Sequence, residues 1–131
     1  MYIVDNGVVS GGYQGLYIYT SGHVTLAYTD AHNNDNTGIQ INNAYSPSAP
    51  KNVAINDVIA NDNNGCGLDV ESYGHISIKG IEVYGNYNGY GAYLENRFGT
   101  GNVTITSSKY IPNNSFNESA LTGLGLSLIH I

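Results

Sequence analysis

At 131 residues the chain has room for one domain or a piece of one, and 10 acidic against 4 basic residues argue against nucleic acid or an anionic membrane as partner. Only 11% of residues are charged, and Gly (17), Tyr (12) and Asn stand where Glu and Lys usually do. The β-branched and aromatic content is too high for disorder, so the composition predicts a β-rich protein with many tight turns. The single Cys66 excludes an intrachain disulfide, and no apolar run is long enough to span a bilayer.

The N-terminal "MYIVDNGVV" lacks the basic start and apolar core of a secretion signal. It leads into "DNGVVSGGYQGLYI", where Val8 and Gly15 already fall in the register of the repeat that follows. From there two short patterns alternate along the chain. "HVTL" from His23, "NVAI" from Asn52, "HISI" from His75 and "NVTI" from Asn102 each follow a turn-like residue. Their first apolar anchors Val24, Val53, Ile76 and Val103 stand 29, 23 and 27 residues apart. Between them lie "GLYI" from Gly15, "GIQI" from Gly38, "GLDV" from Gly67, "GAYL" from Gly91 and "GLGL" from Gly123. A weaker third series carries the apolar pairs Val58/Ala60 and Ile81/Val83. Ten residues past each anchor is an asparagine: Asn34, Asn63, Asn86 and Asn113.

Apolar residues two apart, punctuated by Gly and Asn and with no helical period, predict about three short strands per repeat of ~25 residues. The absence of a helical segment between the strands excludes helical repeats, and three strands per repeat fit an all-β parallel β-helix whose coils stack at ~4.8 Å, four to five coils here. An Asn at one corner of every coil has a physical reason. It tolerates a left-handed backbone, and stacked amides can hydrogen-bond along the stack. The stretch "NNGCGLDVESYGHISIKGIEVYGN" resembles the right-handed parallel β-helix repeats of the pectate-lyase-like superfamily, and the likeness extends over residues 1–125. Both ends look cut. The last six residues, "LSLIHI" (126–131), resemble the translation of a sequencing adapter, which predicts a truncated metagenomic reading frame and removes His130 from functional argument. The other reading of Leu126 is a genuine repeat strand.

The Gly-initiated strand carries the candidate site. Alternation turns Leu16/Ile18, Ile39/Ile41, Leu68/Val70 and Ala92/Leu94 inward. Two outward columns remain: Tyr17, Gln40, Asp69, Tyr93 and Tyr19, Asn42, Glu71, Glu95. Glu71 and Glu95 stack one coil apart at ~4.8 Å, so one carboxyl pKa should rise unless a cation or base intervenes. Asp69, Glu71 and Glu95, with Arg97 as the nearest base in sequence, are candidate catalytic residues. Two carboxyls ~5 Å apart would suit a retaining glycosidase. The same three acids are a candidate calcium site, which with Arg97 would look like a polysaccharide lyase. Tyr17, Tyr19 and Tyr93 are candidate platforms for sugar rings. The competing reading is ordinary solvated surface.

The superfamily resemblance implies a polysaccharide lyase, a glycoside hydrolase, an epimerase or a non-catalytic tailspike or surface protein. The likeness to its hydrolases is partial. Where those carry N-T-D, G-H-G and R-I-K motifs, this chain has "NTG" (36–38), "GHI" (74–76) and no R-I-K, and no catalytic residue is carried over from them. Polysaccharide is the expected partner, on a secreted or surface-exposed protein, with a homotrimer as an assembly that the tailspike resemblance implies. The rival expectation is a structural or adhesive stalk. A binding protein would gather the acid and tyrosine columns on one concave groove, and a stalk would scatter them. A loop after Asn113 ("NSFNESALT") would favour a cleft if it overhung the columns. His23 and His75 share one turn position but are two coils, ~10 Å, apart, too far for a shared zinc. Together with Asn52 and Asn102 they read as hydrogen-bonding turn residues. His32, near Asp30 and Asp35, reads as structural, Cys66 as incidental, and the glycosylation triplets at Asn102, Asn113 and Asn117 as the product of an Asn-rich composition.

Overall fold

The computed structural model describes residues 2–96, 99–106 and 126–128. These form strands β1 Tyr2–Ser10, β2 Leu16–Tyr19, β3 Val24–His32, β4 Ile39–Asn42, β5 Val53–Asn61, β6 Leu68–Glu71, β7 Ile76–Glu82, β8 Ala92–Glu95, β9 Val103–Thr106 and β10 Leu126–Leu128. Two sheets result, ordered β1-β3-β5-β7-β9-β10 and β2-β4-β6-β8. Each strand pairing among the described residues joins a strand to its counterpart in the next coil, and all are parallel. The architecture is a parallel β-helix, an all-β solenoid.

Each fully described coil has the three straight segments expected, but two of them share one continuous strand. In β3 and β5 the ladder runs from Ala27↔Asn56 directly to Thr29↔Val58, skipping one residue on each strand. The skipped residues, Tyr28 and Asp57, have φ of 52° and 51°, and Gly80 in the next coil has 71°. One left-handed residue turns the chain there without interrupting the hydrogen-bonded ladder.

The interior is built by alternation. Val24/Leu26, Val53/Ile55, Ile76/Ile78 and Val103/Ile105 stack along one wall. Val58/Ala60 and Ile81/Val83 stack along the second, and Ile39/Ile41, Leu68/Val70 and Ala92/Leu94 along the third, all of them buried. β10 pairs with β9 at Leu126↔Val103, which places Leu126 in the column of the Val24 series. The sequence pattern "GLGL" instead assigns it to the Gly-initiated series. Alternation specifies which residues face inward and does not specify which wall they belong to, so both placements satisfy the pattern.

The corners are held by side chains. Asn34, Asn63 and Asn86 are buried and form a continuous amide ladder. Asn34 donates through its backbone N (3.1 Å) and Nδ2 (2.9 Å) to Asn63 Oδ1, and Asn63 repeats both bonds to Asn86 Oδ1 at 3.1 Å each. Asn63 Nδ2 also donates to the Ala31 carbonyl and Asn86 Nδ2 to that of Ala60. In the first coil Gly12 takes the equivalent place, its N–H donating to Asn34 Oδ1. The left-handed residues are not these asparagines, as their composition suggests, but the residues just before them: Gly11, Asn33, Asp62 and Gly85. The preceding residue makes the turn, and the asparagine is thereby aimed inward. Asn113 lies outside the described residues.

This ladder explains why the next strand must begin with glycine. A Cβ on Gly67 would lie 2.6 Å from Asn86 Nδ2 and 2.7 Å from the carbonyl oxygens of Ala60 and Gly91. Gly38 stands in the same relation to Asn63 Nδ2 and Gly15 to Asn34 Nδ2. A second buried corner column, Asn43, Ser72 and Asn96, binds carbonyls at the opposite end of the Gly-initiated strand. Asn43 Nδ2 donates to Gly22 and Lys51, Ser72 Oγ to Lys51, and Asn96 Nδ2 to Gly101. On the outside of this same corner His23 Nδ1 accepts from Asn52 N, Asn52 Oδ1 from His75 N, and His75 Nδ1 from Asn102 N, each at 3.0 Å.

Removing the central rung orphans buried groups on both sides of it. Asn63→Ala should therefore lower the unfolding free energy by about 3 kcal/mol in urea denaturation. The exposed Asn88→Ala should cost less than about 0.5 kcal/mol. Gly67→Ala should cost about 2 kcal/mol by overpacking the ladder. Equal stabilities for Asn63→Ala and Asn88→Ala would contradict the ladder's role.

Candidate functional site

The four-stranded sheet β2-β4-β6-β8 brings the candidate residues onto one wall. Its register pairs Tyr17 with Gln40, Gln40 with Asp69 and Asp69 with Tyr93 in one column. The other pairs Tyr19 with Asn42, Asn42 with Glu71 and Glu71 with Glu95. Asp69, Glu71 and Glu95 are thus neighbours, with Tyr17 and Tyr19 two coils below the acids and Tyr93 beside Glu95. Tyr17 and Tyr19 are well exposed, at 55% and 65%. Arg97 lies outside the described residues.

Each of the three acids accepts a hydrogen bond from a neutral donor. Gln40 Nε2 donates to Asp69 Oδ2 at 3.0 Å, Asn42 Nδ2 to Glu71 Oε2 at 2.6 Å, and Tyr93 OH to Glu95 Oε2 at 3.0 Å. Gln14 continues the first set, its Nε2 donating to Gln40 Oε1. Because coils stack in register, an amide in one coil meets a carboxylate directly above it, and this relation was present in the column reading. Two further side chains were not. Tyr90 stacks on Tyr93 with ring centroids 5.8 Å apart and planes inclined at 27°. Cys66 accepts a hydrogen bond at Sγ from Tyr90 N. Tyr90 lies three residues before Tyr93, in the turn, where no strand pattern assigns it a face.

Electrostatics single out Asp69. Burial is the main cause, and with the charge of Glu71 and then of Glu95 it outweighs the Gln40 hydrogen bond and pushes this carboxyl up to about 6. Asp69 Oδ1 is buried without a hydrogen-bond partner. Burial also pushes the Cys66 thiol up. The bond from Tyr90 opposes that rise and Asp69 adds to it, so Cys66 has the character of an unreactive thiol. Among the described residues no three His, Cys, Asp or Glu side chains converge in a way that could hold a metal ion.

A different wall carries a concavity that the sequence reading missed. Asp30, His32, Ile59, Asn61, Asp62, Glu82 and Tyr84 line a space of about 200 Å³. His32 Nδ1 and Asp30 Oδ1 are 2.9 Å apart, which fixes the histidine that the sequence left without geometry. The residues come from three successive coils, spaced 21 to 29 residues apart along the chain, and only the stacking register reveals them as neighbours.

A family model described as a right-handed beta helix region matches residues 1–128 of the chain. No curated protein and no solved structure is significantly similar to it.

The Asp69 environment sets a pH dependence. In an unfolded chain this carboxyl titrates near ~3.9. In the fold it holds its proton up to about 6. Between those values the folded state binds the extra proton, so this group's contribution to stability is full below ~4 and is lost as pH rises through about 6. The partial solvent exposure that the group keeps screens the effect to on the order of 1 kcal/mol. Asp69→Asn has no proton to lose. Relative to wild type it should gain stability as pH rises from about 4 to about 7.5 in paired urea titrations. A pH-independent difference would contradict the assigned environment.

Proposed function

Because the chain belongs to the right-handed β-helix family, we propose that its Gly-initiated wall recognises polysaccharide, in a protein that is secreted or exposed at a cell surface. The observation that carries this reading is the composition and fixation of one wall. Exposed tyrosine faces stand at one end of the two outward columns, and a stacked tyrosine pair and hydrogen-bonded carboxylates stand at the other. Tyrosine offers an apolar face to a sugar ring and a hydroxyl at its rim. Carboxylates held by amide and phenol donors are ordered before a ligand arrives, which lowers the entropic cost of binding. Coils at ~4.8 Å offer these groups at regular intervals along an extended ligand.

Recognition needs only this geometry. Catalysis by Asp69, Glu71 and Glu95 would further require a proton donor and an ionised partner placed about the scissile bond. Asp69, held protonated to about pH 6, supplies a first condition for a general acid.

The test is a glycan-array screen of the full chain, followed by measured affinities for the best polymer. Tyr17→Ala and Tyr93→Ala should each weaken binding about 5- to 10-fold, the loss of one aromatic contact. Glu71→Gln with Glu95→Gln should weaken it further, and His32→Asn, on a different wall, should leave it unchanged. A folded, soluble protein that binds no glycan would support the stalk reading instead.

A further inference from the structure

We infer that Asn88 is a site of spontaneous covalent modification, deamidating through a succinimide, while its counterpart in the preceding coil, Asn64, is protected by the fold. The chain holds three Asn-Gly dipeptides: Asn6–Gly7 within β1, Asn64–Gly65 and Asn88–Gly89. Asparagine is thermolabile because the next backbone nitrogen can attack its side-chain amide carbon. Glycine in that next place hinders the attack least, since it has no Cβ. The fold requires glycine there. A Cβ on Gly89 would lie 2.4 Å from the Cys66 nitrogen and 2.5 Å from the Gly65 carbonyl carbon.

Asn64 and Asn88 meet across successive coils. Asn88 donates through its backbone N to the Asn64 carbonyl at 3.1 Å and through Nδ2 to Asn64 Oδ1. Both residues are exposed, so the difference between them lies in the backbone that follows. Gly65 N donates to the Asn36 carbonyl at 3.0 Å and Asn64 N to that of Asn34 at 2.9 Å. The first of these bonds holds the proton that Gly65 N must lose, and together they fix the rotation that would bring it onto the Asn64 side chain. Gly89 N donates to no acceptor among the described residues. There the reaction can proceed: Gly89 N bonds to Asn88 Cγ, the Cγ–Nδ2 bond breaks, and ammonia leaves with the backbone amide proton. Water then opens the succinimide at either carbonyl, giving aspartate or isoaspartate. Asn64 Oδ1 thereby loses its donor, because a carboxylate only accepts. Isoaspartate also adds a methylene to the main chain two residues before Tyr90, whose ring stacks on Tyr93.

The experiment incubates the full chain at about pH 8, folded in buffer and unfolded in about 6 M guanidinium chloride, and follows each Asn-Gly peptide by mass spectrometry. In buffer, Asn88 should convert to aspartate and isoaspartate at least about tenfold faster than Asn64. In denaturant the bond from Gly65 N to Asn36 is gone and the dipeptide is the same, so the two rates should agree to within about twofold. Three results overturn the inference: equal rates in buffer, Asn64 converting faster than Asn88, or a difference as large in denaturant as in buffer. The last would trace the difference to local sequence and not to the fold.

Discussion

Stacking in register is the constraint on which the rest of this structure depends. A parallel coil laid on another at ~4.8 Å satisfies the straight segments, and much of the corners, through backbone hydrogen bonds, and leaves the remaining corner groups to side chains. Asn34, Asn63 and Asn86 close one corner by passing hydrogen bonds from coil to coil and reaching back to strand carbonyls. Because their amides occupy the corner, the strand that leaves it must start without a side chain, at Gly15, Gly38 and Gly67. That strand then emerges with its inward and outward faces fixed. The positions of the candidate residues on β2, β4, β6 and β8 follow from the amide ladder beneath them.

The same register places like with like, which is both an opportunity and a cost. Identical positions in successive coils become neighbours, so an acid repeated in the sequence becomes an acid pair in space. Glu71 and Glu95 are such a pair. The structure offsets the repulsion with polar neutral neighbours below and beside the acids, Gln40, Asn42 and Tyr93, and leaves Asp69 to take up a proton more readily than an exposed carboxyl does. Neutral clamps fix side chains without cancelling their charge. They hold the acids of this wall in fixed positions.

How much of this was legible in the sequence depended on the range of the signal. Inward pairs such as Leu68/Val70 and the outward columns through Asp69 and Glu71 follow from alternation and a Gly start, both local features, and the register agrees with them. The bend at Tyr28 and Asp57 was not legible, because a tyrosine or aspartate at positive φ carries no distinctive local signal and is imposed by the coil. The corner column Asn43, Ser72, Asn96 was hidden for a related reason. Two amides and a hydroxyl perform one task there, and no single letter repeats. Leu126 fits two walls equally well by alternation, and only pairing with Val103 decides between them. The Asp30–His32 concavity needs three coils in register before its residues meet.

Whether the Gly-initiated wall is the binding surface is tested most directly by mapping where a ligand touches the protein. A backbone NMR titration of the full chain with a neutral oligosaccharide would locate the contact without altering any residue. The account predicts that the largest shift changes fall on Gln40, Asn42, Asp69, Glu71 and Tyr93, with the Asp30, His32 and Glu82 wall unaffected. Changes centred on that second wall, or spread evenly over all the coils, would contradict it.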